Sequence, residues 1–498
     1  MKLQLKQYLS TLSQIEIDSL EQLVLIVPDS EGPSAWGQFP YKGLLGERFQ
    51  RAKQRQAAIH PFATDLPNDI GTHVSIWPLK TELSPFEMLG LARKIARHAL
   101  ARGGHQLSIQ YQKLPLSQHK PLTDAIVSAL YAASWPMTDF KTGKKHPKAI
   151  KRLQLYGLKH SIDISRSVAT AEGTNIAREL TQLPPNVLTP ANYRKRLRQL
   201  AGHYGWQHRF YGQAQLAQKN AGAFLAVLQA SDKPQGGLVH LRYQPTGRKT
   251  GKPLALVGKG LCYDTGGVNL KSAKYMYSMH EDMEGSAVAL GTLIALTRLK
   301  VNFAVDCWLA LAVNDIGPKA YRPNEIITAS NGTTIEVIHT DAEGRMVLAD
   351  TLAIACQAKP ALIIDYATLT GSCIAALGTA YSGAFTNREE LHSDIIAAGR
   401  SSGERVWPFP QDKDFDDALK SKVADVKQCT LDGGPDHILA ARFLNRFVDE
   451  TVPWLHIDLA AGNNKGGLAH ISTDTTGFGV RFSIDLLMDQ KSVAALVQ

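Results

Sequence analysis

From about residue 166 onward, short apolar runs alternate with segments of helical period. The runs are "AFLAVLQA" (223–230), "LVHLRY" (238–243), "LALVGK" (254–259), "AVDCWLALAV" (304–313), "TIEVIH" (334–339), "LIIDYATL" (362–369) and "WLHIDLA" (454–460). Each reads as a strand. Near-continuous apolar strands separated by helices predict a mixed, largely parallel sheet covered by helices on both faces. The pattern before residue 166 differs. There, the strand-like "QLVLIVPD" (22–29), "HVSIWPL" (73–79), "LSIQY" (107–111) and "RLQLYGL" (152–158) accompany a helix over "SPFEMLGLARKIARHALARG" (84–103), with Pro at its start and Gly at its end. The stretch "SRSVATAEGTNIARELTQLPPNVLTPANY" (165–193) reads as a helix halted by Pro184-Pro185. The fold class is α/β, with a smaller α/β amino-terminal domain over 1–165 and a larger domain over 166–498.

Composition narrows the class. At 498 residues, 44% hydrophobic and 20% charged, the chain is too long for one ordinary core and has the balance of a globular enzyme. It contains no apolar window of spanning length, and its first residues have no signal-peptide core. The five cysteines (Cys262, Cys307, Cys356, Cys373, Cys429) are scattered and unpaired in sequence. They read as small buried hydrophobes in a reducing, cytoplasmic setting. Residues 1–165 hold 21 Lys and Arg against 13 Asp and Glu, so most of the net charge of +10 lies there. The densest run, "KTGKKHPKAIKR" (141–152), has no interleaved aromatics and reads as a solvated linker.

Several motifs fail on context. "GRSSG" (399–403) fits a nucleophile-elbow pattern but follows a helical segment, so a helix end is expected. "GKGLCY" lacks the third glycine of a dinucleotide loop, and no H-E-x-x-H occurs. What survives is dispersed. Lys259 follows an apolar strand, Asp264 stands beside Gly266-Gly267, Lys271 comes next, Asp282 precedes an apolar helical segment, and Asp341 and Glu343 lie in "HTDAEGRMVLAD". Four converging carboxylates would repel one another and take up protons. Two divalent ions would resolve that conflict and could activate a shared water; the oxygen-rich set suits Zn²⁺, Mn²⁺, Mg²⁺ or Co²⁺. A lysine can be a ligand only as the neutral amine, and Lys259, emerging from the strand, is the better candidate. Lys271 would then stay charged and polarise a substrate oxygen.

The motifs "VGKGLCYDTGG", "NLK", "EDM" and "TDAEGR", with "LPPNVLTP", "YRPNEII", "DYATLTG", "GGPDHILAARFL" and "GFGVR", resemble in order and spacing the leucyl aminopeptidase (cytosol aminopeptidase) family of dinuclear metallopeptidases. The resemblance covers roughly 170–498. It implies that Lys259 and Asp282 hold one metal, Asp341 holds the other, and Asp264 and Glu343 bridge both, the ions being Mn²⁺ or Zn²⁺. It implies Lys271 as electrophile and Arg345 as holder of a bicarbonate that serves as general base. Thr368, Leu369 and Gly371 fall in the substrate-aligning loop, and Met279 in the side-chain pocket. The implied reaction is removal of the first residue from a peptide with a free amino terminus, by a homohexamer with inward-facing sites.

Three departures from the family pattern involve four residues: His339 replaces the usual Asn, Thr265 the usual Ser, and Glu281 and Glu284 flank Asp282. Two alternatives stay open. A dinuclear dipeptidase, for example one favouring Cys-Gly, would use the same residues, and the basic first domain could add nucleic-acid binding through salt-sensitive phosphate contacts.

Overall fold

The Gln106–Tyr111 and Gln22–Pro28 strands pair in parallel at the middle of a six-stranded sheet. Its order is Gln4–Gln7, Arg152–Tyr156, Gln106–Tyr111, Gln22–Pro28, His73–Leu79 and Phe62–Asp65. Every neighbouring pair is parallel except the last, where Phe62–Asp65 runs antiparallel along the edge. The expected helix spans Pro85–Arg102. Ser84 and Glu87 form a reciprocal capping box at its start, and Gly103, at φ 88°, ends it.

The structure, a computed structural model, describes residues 3–29, 36–54, 61–143, 149–231, 235–246 and 251–497. By contacts the chain divides into Met1–Val168 with Ala469–Ser472, and Ala169–Leu468 with Thr473–Gln498. Part of the basic run, 144–148, lies outside the described residues.

The second unit is built on eight strands. Their order is Val406–Pro408, Ser382–Thr386, Trp454–Asp458, Leu362–Ala367, Leu254–Asp264, Val305–Asn314, Gly237–Tyr243 and Gln207–Tyr211. The four from Trp454–Asp458 to Val305–Asn314 are mutually parallel, and antiparallel pairs flank them on both sides. The helix Glu284–Arg298 is buried from Glu284 to Leu296, and Glu343–Cys356 is nearly as buried, so neither shows a polar face. They lie on opposite faces of the sheet. A Cβ on Gly258 would meet Ser286 Cα at 2.5 Å, and one on Gly285 would meet the Tyr366 carbonyl oxygen at 2.1 Å. The next strand residue, Lys259, points the other way and passes Gly344.

Register creates a ledge. Leu362–Ala367 pairs with the long strand as far as Gly258, opposite Tyr366. The long strand continues beside Val305–Asn314, through a bulge, until Asp264 faces Asn314. Lys259 is therefore inside a strand and not at its end, level with the place where the neighbouring strand stops.

Two expectations change. "AFLAVLQA" is a helix, Gly222–Leu228; Asp350, distant in sequence, accepts its Phe224 N–H at 2.8 Å and satisfies a donor that the helix start leaves open. "TIEVIH" contributes only Thr334–Glu336, to a separate three-stranded sheet with Ile326–Thr328 and Val426–Lys427. "GRSSG" ends the helix His392–Ser402, with Gly403 left-handed at φ 75°. Four cysteines are buried, Cys356 is half-buried, and all five are free. Among the described residues, no helix is long and apolar enough to cross a membrane.

Candidate active site

The predicted residues gather near the carboxyl edge of the parallel strands, from strand, loop and helix start alike, where ligands collect in such sheets. The Lys259 ammonium donates to Asp282 Oδ1 at 2.7 Å and to the Thr368 carbonyl at 2.8 Å, and lies 3.4 Å from Glu343 Oε1. Lys271 bridges Asp264 Oδ2 at 2.8 Å and Asp341 Oδ1 at 2.6 Å. Oxygens of Asp264, Asp341 and Glu343 all lie within 4.8 Å of one another. Six residues spread over 85 positions thus form one ion-pair cluster, most of it buried: Lys259 is 3% exposed, Asp264 2% and Glu343 1%.

Local backbone explains the placement. Asp264 Oδ1 accepts the Gly266 N–H at 2.9 Å, an Asx-type turn, and Gly266 and Gly267 follow at φ 86° and 68°. That turn returns the chain so that Lys271 donates its N–H to the Thr265 carbonyl. Asp282 lies between the one-turn helix Met279–Glu281 and the buried helix Glu284–Arg298. It caps neither through its side chain, which is committed to Lys259 and to the Thr368 hydroxyl at 2.7 Å. Glu343 begins its helix.

Burial raises the carboxyls. Asp282 is pushed up to about 6, Asp341 rises through burial and the neighbouring Asp264, and Glu343 lies well above the usual carboxylate range for the same reasons. Burial alone would push Lys259 down, but Asp282, Glu343 and Asp264 outweigh it and hold the ammonium charged. Lys271 is raised in the same way by Asp264 and Glu343 against its own burial. In this arrangement the two lysines compensate the acids in part. Asp282 Oδ2 is buried with neither a hydrogen-bond partner nor a lysine against it.

Arg345 sits on the Glu343–Cys356 helix, but its guanidinium is engaged elsewhere. It pairs with both oxygens of Asp436, at 2.8 and 3.0 Å, and donates to the Gln428 carbonyl at 2.9 Å. Its Nε is buried without a partner. Met279 is half-buried at the start of its helical turn, after Ser278 at φ 73°. The loop after Leu362–Ala367 is anchored by Asp458. Its Oδ1 accepts the N–H groups of Leu369 and Thr370 at 3.1 and 3.3 Å, and its Oδ2 accepts the Thr370 hydroxyl at 2.6 Å. Gly371 then begins the helix Gly371–Leu377.

Sequence reasoning missed two of these residues. Asn314 donates to Asp264 Oδ1 at 2.8 Å, to Glu343 Oε2 at 3.2 Å and to the Thr340 carbonyl at 3.1 Å, and so spaces two of the acids. Asp458 is the other. Both are polar residues terminating apolar strands, "AVN" and "HID", and that shared position was the available signal. Of the departing residues, His339 accepts the Asp341 N–H through Nδ1 at 3.3 Å and Glu281 accepts from Asn463 at 2.8 Å. Glu284 is fully buried beside Gly462, where an added Cβ would strike its Oε2 at 2.0 Å.

The chain is similar to known proteins over most of its length. Residues 175–484 match the model of the cytosol aminopeptidase family, catalytic domain. A probable cytosol aminopeptidase of Syntrophotalea carbinolica is 39% identical over 408 residues, 80% of each chain. One from Prochlorococcus marinus is 38% identical over 370 residues, 72% of this chain and 73% of that one. A solved structure of a tomato leucine aminopeptidase mutant superposes with a TM-score of 0.85 at 27% identity, covering 98% of this chain and 96% of the other. Family model, relatives and solved structure converge: the chain belongs to the cytosol aminopeptidase family and is an enzyme of the metallo-aminopeptidase class.

Proposed function

We propose that the enzyme removes the first residue from peptides with a free amino terminus, using two divalent ions of the Mn²⁺ or Zn²⁺ type held by Lys259, Asp264, Asp282, Asp341 and Glu343. The observation that carries this is the unbalanced carboxylate set: three acids with oxygens within 4.8 Å, and a fourth, Asp282, with a buried oxygen left partnerless. Such a donor set fits hard or borderline dications. Lys259 and Asp282 would hold one ion, Asp341 the other, and Asp264 and Glu343 would lie between them. Bound there, the ions supply Lewis acidity towards a water and a carbonyl oxygen.

The chain's own residues do the rest. Lys259 would serve as a ligand through its neutral amine, the ammonium form being penalised beside a dication. Lys271 keeps its charge and offers an N–H to the carbonyl oxygen where negative charge develops. Asn314 keeps Asp264 and Glu343 apart and oriented. Asp458 holds the Leu369 and Thr370 amides, and with them the Thr368 carbonyl, in a fixed edge along which a peptide backbone can align. Arg345 with an associated bicarbonate would manage the proton, for which the guanidinium must exchange part of its Asp436 pairing. A homohexamer working in the cytoplasm belongs to the same proposal, and light scattering on the purified protein tests its size.

The test is hydrolysis of leucyl-, methionyl- and arginyl-amides after metal removal and add-back, with Glu343→Gln and an amino-terminally acetylated substrate beside them. Activity that returns with Mn²⁺ or Zn²⁺, falls at least a thousandfold in the variant and spares the blocked substrate supports the proposal. Turnover of the acetylated substrate, or full activity in the variant, would sink it.

A further inference from the structure

The amino-terminal unit carries none of the residues above, yet it holds a concavity of about 590 Å³. That volume lies within the roughly 300–1,000 Å³ of small-molecule sites. The floor is apolar and fixed. Trp77 is 4% exposed; its indole N–H donates to Ser75 Oγ at 3.0 Å, and the His98 ring meets it edge-on at 5.8 Å. On the Pro85–Arg102 helix, Leu91, Lys94 and His98 follow at i, i+3 and i+7 and face the same side. Lys80, just past the carboxyl end of the His73–Leu79 strand, and Arg97 complete a cationic rim.

Charge defines what fits. Among the described lining residues, Lys80, Lys94 and Arg97 face a single carboxylate, Asp29, an excess of two positive charges. His98 adds none at neutral pH, because burial, His73 and Arg102 hold its imidazole below the usual value. The two lysines and the arginine are exposed at the rim, as long charged side chains favour. A phosphate monoester carries about −1.5 to −2 at neutral pH, which matches that excess. A simple carboxylate would neutralise half of it, and an inorganic ion would leave the apolar floor unused.

We propose that this concavity binds a small phosphate monoester bearing an apolar ring, with the phosphate at Lys80, Lys94 and Arg97 and the ring against Trp77 and Leu91. A nucleotide and a phosphorylated aromatic amino acid share this chemistry. The site is separate from the acid cluster and independent of the reaction proposed there.

The experiment titrates the full-length protein with adenosine monophosphate, free phosphotyrosine and inorganic phosphate by calorimetry. At least one of the two ring-bearing esters is expected to bind tenfold or more tightly than inorganic phosphate, and the better one identifies the source. In a Lys94→Ala/Arg97→Ala variant, that ester should bind at least tenfold more weakly. Both side chains are exposed on the helix, so the thermal midpoint and the amide turnover should be unchanged, which separates lost binding from lost folding. No binding of either ester at millimolar concentration, equal affinity for all three anions, or undiminished binding in the variant would each overturn the proposal.

Discussion

Both units are built on parallel-rich sheets, and both carry charged residues where strands end, but they treat those charges in opposite ways. In the amino-terminal unit Asp29 and Lys80 follow their strands directly into solvent. In the second unit Lys259, Asp264, Asp282 and Glu343 are withdrawn until almost nothing of them is exposed. Solvated charges are screened and individually weak; buried ones interact strongly but must be compensated. The second arrangement is expensive without ions or opposite charges and is what chemistry needs. The first suits reversible capture of an anion from solution.

The contrast can be broken most forcefully at Lys259. Lys259→Met leaves Asp282 and Glu343 without their cation, and removing one member of a buried charge set costs about 3–5 kcal/mol. Denaturant unfolding of the metal-free protein should show that loss, and the same experiment with saturating Mn²⁺ should recover part of it. An unchanged midpoint would mean that the cluster is not held by charge compensation.

Asp458→Asn sharpens the picture by loosening the loop without touching the acids. Misplacement of a substrate-aligning edge costs about tenfold to a hundredfold in kcat/KM, so steady-state kinetics should register that fall while metal affinity, followed by competition with a chelating dye, stays close to the parent's. A smaller change is expected at Glu404, buried at the start of the turn before Val406–Pro408 and accepting the Gly479 and Phe482 N–H groups. Burial pushes its carboxyl from the ordinary 4.5 up to about 7. The folded state therefore holds a proton that the unfolded chain releases, and this contribution is complete below pH 4.5 and fades as pH rises through about 7. Glu404→Gln should flatten the stability profile across that window, measured by urea unfolding at several pH values.

The smallest effect belongs to the amino-terminal unit. Ser84→Ala removes the reciprocal cap of the Pro85–Arg102 helix, at a cost of about 1 kcal/mol, and should leave amide turnover unaltered. A large loss of activity would show that the two units are energetically coupled.

Much of this was legible in the chain because local physics wrote it there. The Pro85 and Gly103 punctuation gave that helix to within one residue at each end, and unbroken apolar runs gave the central strands. The acid and lysine positions stood out because charges among apolar runs have no cheap structural role. What could not be read depended on distant partners. The helix Gly222–Leu228 looks like a strand until Asp350 is placed at its start and the Glu343–Cys356 helix against its side. Asn314 and Asp458 show what they do only when neighbouring strands bring acids and amides to them. Arg345 could be singled out by its motif, but its pairing with Asp436, 91 residues away, could not.

The passage of Lys259 beside Gly344 has an evolutionary consequence. A Cβ at residue 344 would lie 2.4 Å from Lys259 Cε and 2.8 Å from its Nζ, so every single-base missense change in that codon places an atom where the lysine runs. The lysine cannot step aside without abandoning Asp282 and Glu343. The two positions are therefore locked together across 85 residues of chain, and a lineage that loses the lysine is also released from its glycine. Drift at residue 344 would mark descendants of this fold that no longer keep the lysine.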